Sequence, residues 1–176
     1  MTKAGGHPVT RPHQVTGQGD VYWEDLAAGV DIVGPGVTMT EAHLVSWAGL
    51  TGDWVSLHLD AEYAASQSFG QRIAHGPLTM SLALGLLTQT GIFGNVRAWL
   101  GVDQVRALKP VLIGDTIHPE ATLRETRATR RPQHGIWTLD YRTLNQRDEV
   151  VMTFTGSLML QRREPAAGAA EGSGTP

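Results

Sequence analysis

Between Gly52 and Gly76 the chain sets out an acid, an imidazole and a glycine that together can manage protons beside a carbonyl group. Four residues separate Asp53 from His58 in the run Gly52-Asp-Trp-Val-Ser-Leu-His58, and Arg72-Ile-Ala-His-Gly76 follows at the start of an apolar stretch. A carboxylate and an imidazole can take up and return protons near neutral pH. The start of a helix can hold developing negative charge on backbone N–H groups that have no partner in the helix. These are the parts needed to add or remove water next to a carbonyl.

Such groups have to be held by regular elements, and the chain offers them in order. Thr40 to Leu50 reads as a short helix, with Thr40 as N-cap, His43, Leu44, Trp47 and Leu50 at helical spacing, and Gly52 as its stop. Asp60 to Ser66 reads as a second short helix capped by Asp60. Pro77 to Thr90 is apolar nearly all round, opens on a proline suited to a first helical position and is stopped by Gly91. It predicts a buried helix with other structure wrapped around it. Beyond Gly94 the period changes to that of strands, over Arg97–Val105, Thr116–Arg127, Gly135–Leu144 and Val150–Gln161. An early strand is expected around Val33–Met39. One buried helix with an antiparallel sheet is an α+β architecture.

Composition narrows the classes. The 176 residues suit one domain, with a hydrophobic fraction of 41% and a charged fraction of 18%. A net charge of −3 leaves no basic footprint, so no nucleic acid partner is expected. There is no cysteine, which excludes disulfides, thiolate metal sites and thiol nucleophiles. No apolar run approaches the roughly 20 residues of a membrane span, and no secretory signal is visible, so a cytoplasmic location without membrane contact is the default. Residues 1–19 and 163–176 are small, polar and rich in Gly and Pro, and read as tails around a domain at 20–162.

The pattern Gly52-Asp53-x4-His58-x-Asp60, then Phe69-Gly-x-Arg-Ile-Ala-His75-Gly76, then the apolar helix and long strands, resembles the MaoC-like hydratases. These are hot-dog-fold enzymes related to (R)-specific enoyl-CoA hydratases. The resemblance implies a sheet wrapped around a long central helix, with a short-helix insertion carrying Asp53 and His58. It implies a homodimer or dimer of dimers with sheets joined edge to edge, and a thioester of CoA or acyl carrier protein bound near the interface. No cofactor is implied. Val55 and Ser56 stand where many members have Asn and Pro, so an amide that could orient water or Asp53 is missing. Thr79 and Ser81 are the candidates for a polar group farther along the helix.

The expected reaction is hydration of an enoyl thioester, or the reverse dehydration of a 3-hydroxyacyl thioester. Asp53 and His58 would share a water, and the Gly76 N–H would meet charge gathering on the thioester oxygen. One such donor is worth roughly 3–4 kcal/mol in a transition state. Trp54, Val55, His75, Pro77, Leu78 and Ser81 are the expected substrate-contacting positions, with His75 mainly structural. Arg72 is expected in a surface ion pair, and the stripe Leu78, Leu82, Leu86 in the core. No His-Glu-x-x-His, phosphate-loop or Gly-x-Ser-x-Gly pattern occurs, and no metal is expected. Two alternatives stay open: a hot-dog thioesterase and a non-catalytic acyl-binding subunit. The first needs a carboxylate on the central helix, and Leu78 to Gln89 contains none.

Overall fold

A computed structural model describes residues 21–163. The tails expected at 1–19 and 163–176, Arg163 aside, lie outside the described residues. Four long strands make the body of the fold: β3 (Val96–Ala107), β4 (Thr116–Ala128), β5 (His134–Leu144) and β6 (Val150–Gln161), preceded by the short β1 (Asp31–Val33) and β2 (Val37–Thr38). All pairings are antiparallel, in the order β1-β4-β5-β6-β3, with β2 laid on the start of β4. The sheet has one buried face because its strands alternate: Ile117, Ala121 and Leu123 of β4 point inward, while Thr116, His118, Glu120 and Thr122 are part-exposed.

Against that face lies α4 (Gly76–Thr88), which buries Leu78, Thr79, Ala83, Leu86 and Leu87. Of these, Leu78, Ala83 and Leu87 form one continuous core with Ile117, Leu123, Trp137, Leu139, Tyr141 and Phe154. The fold is α+β, a six-stranded antiparallel sheet around a central helix. Two further helices, α1 (Glu41–Thr51) and α3 (Ala61–Ala65), flank a four-residue turn of helix, α2 (Ser56–Leu59). The segment α1–α3 is the short-helix insertion.

Several boundaries differ from the sequence reading for local reasons. The early strand divides into β1 and β2 because Gly34-Pro35-Gly36 interrupts it, and a proline has no N–H to give a ladder. The central helix closes at Gln89, whose N–H donates to the Leu86 and Leu87 carbonyls, ahead of Gly91 at φ +78°. Asp60 caps α3 as expected, its carboxylate accepting the Tyr63 N–H at 2.9 Å. Residues before it form α2 as well, too short to leave a period in the sequence. One lock joins distant parts of the chain: Trp23 Nε1 donates to the Ile136 carbonyl and Trp137 Nε1 donates back to the Trp23 carbonyl, at 3.2 and 3.1 Å. The Trp23 ring fills the space that a side chain on Gly135 would take.

Candidate active site

The site is assembled by the ends of three elements. Helix α1 begins with the Thr40 N–H donating to His43 Nδ1 at 3.0 Å, so His43 is a capping group. It ends at Gly52, in the left-handed region at φ +78°, with its N–H donating to the Ala48 carbonyl. That turn delivers Asp53 directly beyond the helix. The next residues coil into α2, which carries His58, and α4 begins right after His75. Two turns of chemistry-bearing backbone are thereby brought beside one helix start.

Hydrogen bonds fix how the imidazoles are protonated. His58 Nδ1 lies 2.8 Å from the Ile73 carbonyl. A carbonyl can only accept, so Nδ1 carries a proton, and in the neutral ring it is Nε2 that keeps the lone pair. His75 Nε2 donates to the backbone carbonyl of Asp53 at 3.1 Å. The two rings overlap, with centroids 3.8 Å apart and planes inclined by 30°. Ile73 is itself stitched to the sheet side: it bridges Leu112, and the Ala74 N–H donates to the Val111 carbonyl at 2.8 Å. His58 therefore hangs from a backbone segment that cannot drift from the core.

Asp53, His58 and His75 each offer one ligating atom, and the three lie within 4.8 Å of one another. A water can bridge groups at that separation with two ordinary hydrogen bonds. His75 is fully buried, and burial holds its imidazole below the ordinary histidine value, opposed by the bond to the Asp53 carbonyl. It is the neutral floor under His58. Its Nδ1 is sealed from solvent and has no hydrogen-bond partner among the described residues. Overlapping rings send their in-plane lone pairs side by side, and both bonded nitrogens already serve carbonyls. The trio fits an acid–base group around water better than a metal cage, in which ligands converge at about 2 Å from one ion.

A cavity of about 280 Å³ opens beside this group, lined by His58, Ile73, Gly76 and Thr79 on one side and by Leu108 and Met152 on the other. As the first residue of α4, Gly76 has an N–H without a helical partner. Of the sequence-derived positions, Asp53, His58, His75 and Gly76 are brought together. Trp54 and Val55 are turned outward, 62% and 55% exposed, and neither lines the cavity. Pro77 is exposed, and Leu78 is buried toward α1, where it meets a groove shared with His43, Trp47 and Leu50. Ser81 lines a second cavity, farther along α4. Thr79 lines the site cavity and donates its hydroxyl to the His75 carbonyl at 3.2 Å. Arg72 pairs with Glu41 at 2.8 Å. The sequence reading missed the wall from Ala107 to Val111, because Lys109-Pro110 reads only as a turn between strands.

Comparison with known proteins follows from this geometry. The family description "MaoC like domain" matches residues 28–143. Protein MaoC of Klebsiella aerogenes is 37% identical over 103 residues, covering 58% of this chain and 30% of that one. A 3-hydroxyacyl-thioester dehydratase Z of Mycobacterium tuberculosis is 35% identical, covering 49% of this chain and 59% of that one. The chain thus spans under two thirds of the length of these relatives. An (R)-specific enoyl-CoA hydratase of Aeromonas caviae is 33% identical over 112 residues, covering 64% of this chain and 79% of that one. Among solved structures, a monoamine oxidase regulatory protein from Archaeoglobus fulgius superposes with a TM-score of 0.78 at 34% identity, covering 85% of this chain and 99% of that one. A Mycobacterium tuberculosis protein described as a double hot-dog fold matches with a TM-score of 0.74 at 24% identity, over 85% of this chain and 46% of that one. At that identity it speaks for the fold alone.

Proposed function

The chain belongs to the MaoC-like domain family, and from that premise we propose that it hydrates an enoyl thioester reversibly, with Asp53 and His58 activating the water. The observation that carries this reading is the meeting of Asp53 and His58 within 4.8 Å next to a cavity that also holds the free end of α4 at Gly76. Water held by the pair loses a proton to it as its oxygen bonds to C3 of the enoyl group. The C2–C3 π electrons move toward the thioester, and the Gly76 N–H meets the charge on its oxygen. The enolate then collapses and C2 takes a proton from the pair. One O–H bond and the C2–C3 π bond are broken and one C–O and one C–H bond are formed, so the chemistry balances without any cofactor. Dehydration is the same path reversed.

With its Nδ1 proton committed to the Ile73 carbonyl, His58 has Nε2 left to face the water. Asp53 is held next to it through its own backbone carbonyl, bonded to His75. The substrate class is a thioester of CoA or of an acyl carrier protein, and the acting form is a dimer joined along β3. Supporting the dimer, β3 is an edge strand and exposes Trp99, Leu100 and Val105.

Assays on crotonyl-CoA and longer 2-enoyl-CoA esters test the reading. Loss of enoyl absorbance without release of free thiol is expected. Asp53→Asn and His58→Ala are each expected to slow the reaction about 100- to 10,000-fold. Thiol release would make the protein a thioesterase, and unchanged rates in both variants would remove Asp53 and His58 from the chemistry.

A further inference from the structure

A second cavity, of about 410 Å³, lies along α4 away from His58, walled by Met80, Leu84, Leu87, Phe93, Trp99 and Leu158. Its size is that of a site for a small organic ligand. Met80 and Leu87 fall within about 40° of Gly76 around the helix axis, at about 6 and 16 Å along it. A chain attached to a thioester held at Gly76 and running along α4 would therefore enter this space. No charged side chain lines it. Ser81 and Thr88 stand at the exposed rim, and the Thr88 hydroxyl is committed to the Gly85 carbonyl at 2.6 Å.

At the floor is Tyr141, 3% exposed, its ring stacked on Phe154 with centroids 4.5 Å apart. The ring also lies over Gly156, where a Cβ would come within 2.9 Å of it. Its hydroxyl makes no hydrogen bond to any described residue. It is not among the unpartnered side-chain atoms sealed from solvent, and Tyr141 lines the cavity. A buried hydroxyl left unpaired is costly, and it usually has a partner. Burial alone pushes its ionisation up, so it stays a neutral donor at any working pH.

With the acyl tail of the substrate in this cavity, we infer that the Tyr141 hydroxyl selects tails bearing a neutral acceptor oxygen, such as a keto or hydroxyl group. This deepens the hydratase reading and rests on it. A carboxylate is disfavoured, since no lining cation would offset its desolvation. Tyr141 acts on specificity, through contact with the far part of the substrate.

Matched 2-enoyl-CoA esters test this: one series unsubstituted, the other of the same lengths with a single keto oxygen moved outward along the tail. At one position the oxygen is expected to raise kcat/KM about tenfold over the plain ester, and Tyr141→Phe to bring that ratio back to about one. Leu84→Trp, which fills the cavity, is expected to depress long esters of both series relative to crotonyl-CoA. A flat ratio in the wild type, a preference surviving in Tyr141→Phe, or long esters unaffected by Leu84→Trp overturns the inference. Calorimetric binding of the saturated esters makes the same comparison without turnover. An oxygen preference in binding, lost in Tyr141→Phe, with no hydration of any ester, would remove the hydratase reading while leaving the role of Tyr141 in place.

Discussion

The chemistry at residue scale turns on which nitrogen carries a proton. His58 has its Nδ1 proton tied to the Ile73 carbonyl, so His58→Gln, whose amide can keep that bond, is expected to fold normally and still lose activity at least about 100-fold. Circular dichroism alongside the enoyl assay separates the two effects. His75 makes a prediction about pH. Burial places its native value below the roughly 6.5 of an unfolded histidine, so between the two the unfolded chain binds more protons. The stability present above about pH 6.5 is lost as pH falls through the native value. The thermal midpoint is expected to drop between pH 7 and 5, and His75→Gln to flatten that drop. A slope unchanged in the variant would mean that His75 is not held neutral. Glu149, held near 2 by Asn145, Lys109 and Arg147, acts in a separate window below about pH 4.5. The meeting of Asp53 and His58 was legible in the sequence because their spacing is local. The outward turn of Trp54 and Val55 was not, since whether a large side chain faces a cavity or solvent depends on packing from elsewhere in the chain.

At the scale of elements, three glycines separate folding from function. A Cβ on Gly76 would meet nothing within 4 Å, so Gly76→Ala is expected to keep its unfolding midpoint while placing a methyl group where the thioester oxygen must approach. A fall in kcat/KM without loss of stability is the result that supports its role. Gly52 stands at φ +78° as the stop of α1, and Gly52→Ala is expected to cost about 1 kcal/mol in urea unfolding. Gly135→Ala runs into the Trp23 ring and is expected to cost about 1–3 kcal/mol. The four long strands could be read from period, and α4 from its nearly unbroken apolar run between Pro77 and Gly91. Helix α2 could not, since four residues hold barely one turn. The Trp23–Gly135 lock joins parts of the chain that no local pattern relates.

At the scale of the whole molecule, the described residues form a sheet curved around one helix, with the candidate site at the start of that helix. Among the described residues no helix is long and apolar enough to cross a membrane. If β3 joins two copies, sedimentation should give a dimer, and Leu100→Lys with Val105→Lys should shift it toward monomer. A wild-type monomer at micromolar concentration would exclude that assembly. The α+β class was readable from the order of elements, whereas the division of the interior into two cavities was not, because both are spaces between surfaces remote in sequence. Their common wall, α4, also limits how such a protein can change by inheritance. One residue inserted between Gly76 and Leu84 would turn everything beyond it by about 100° and swing Leu84 and Leu87 away from the tail cavity. Descendants of this chain can therefore explore new substrates by exchanging side chains at Met80, Leu84, Leu87 and Tyr141, while the length of the helix between them stays fixed.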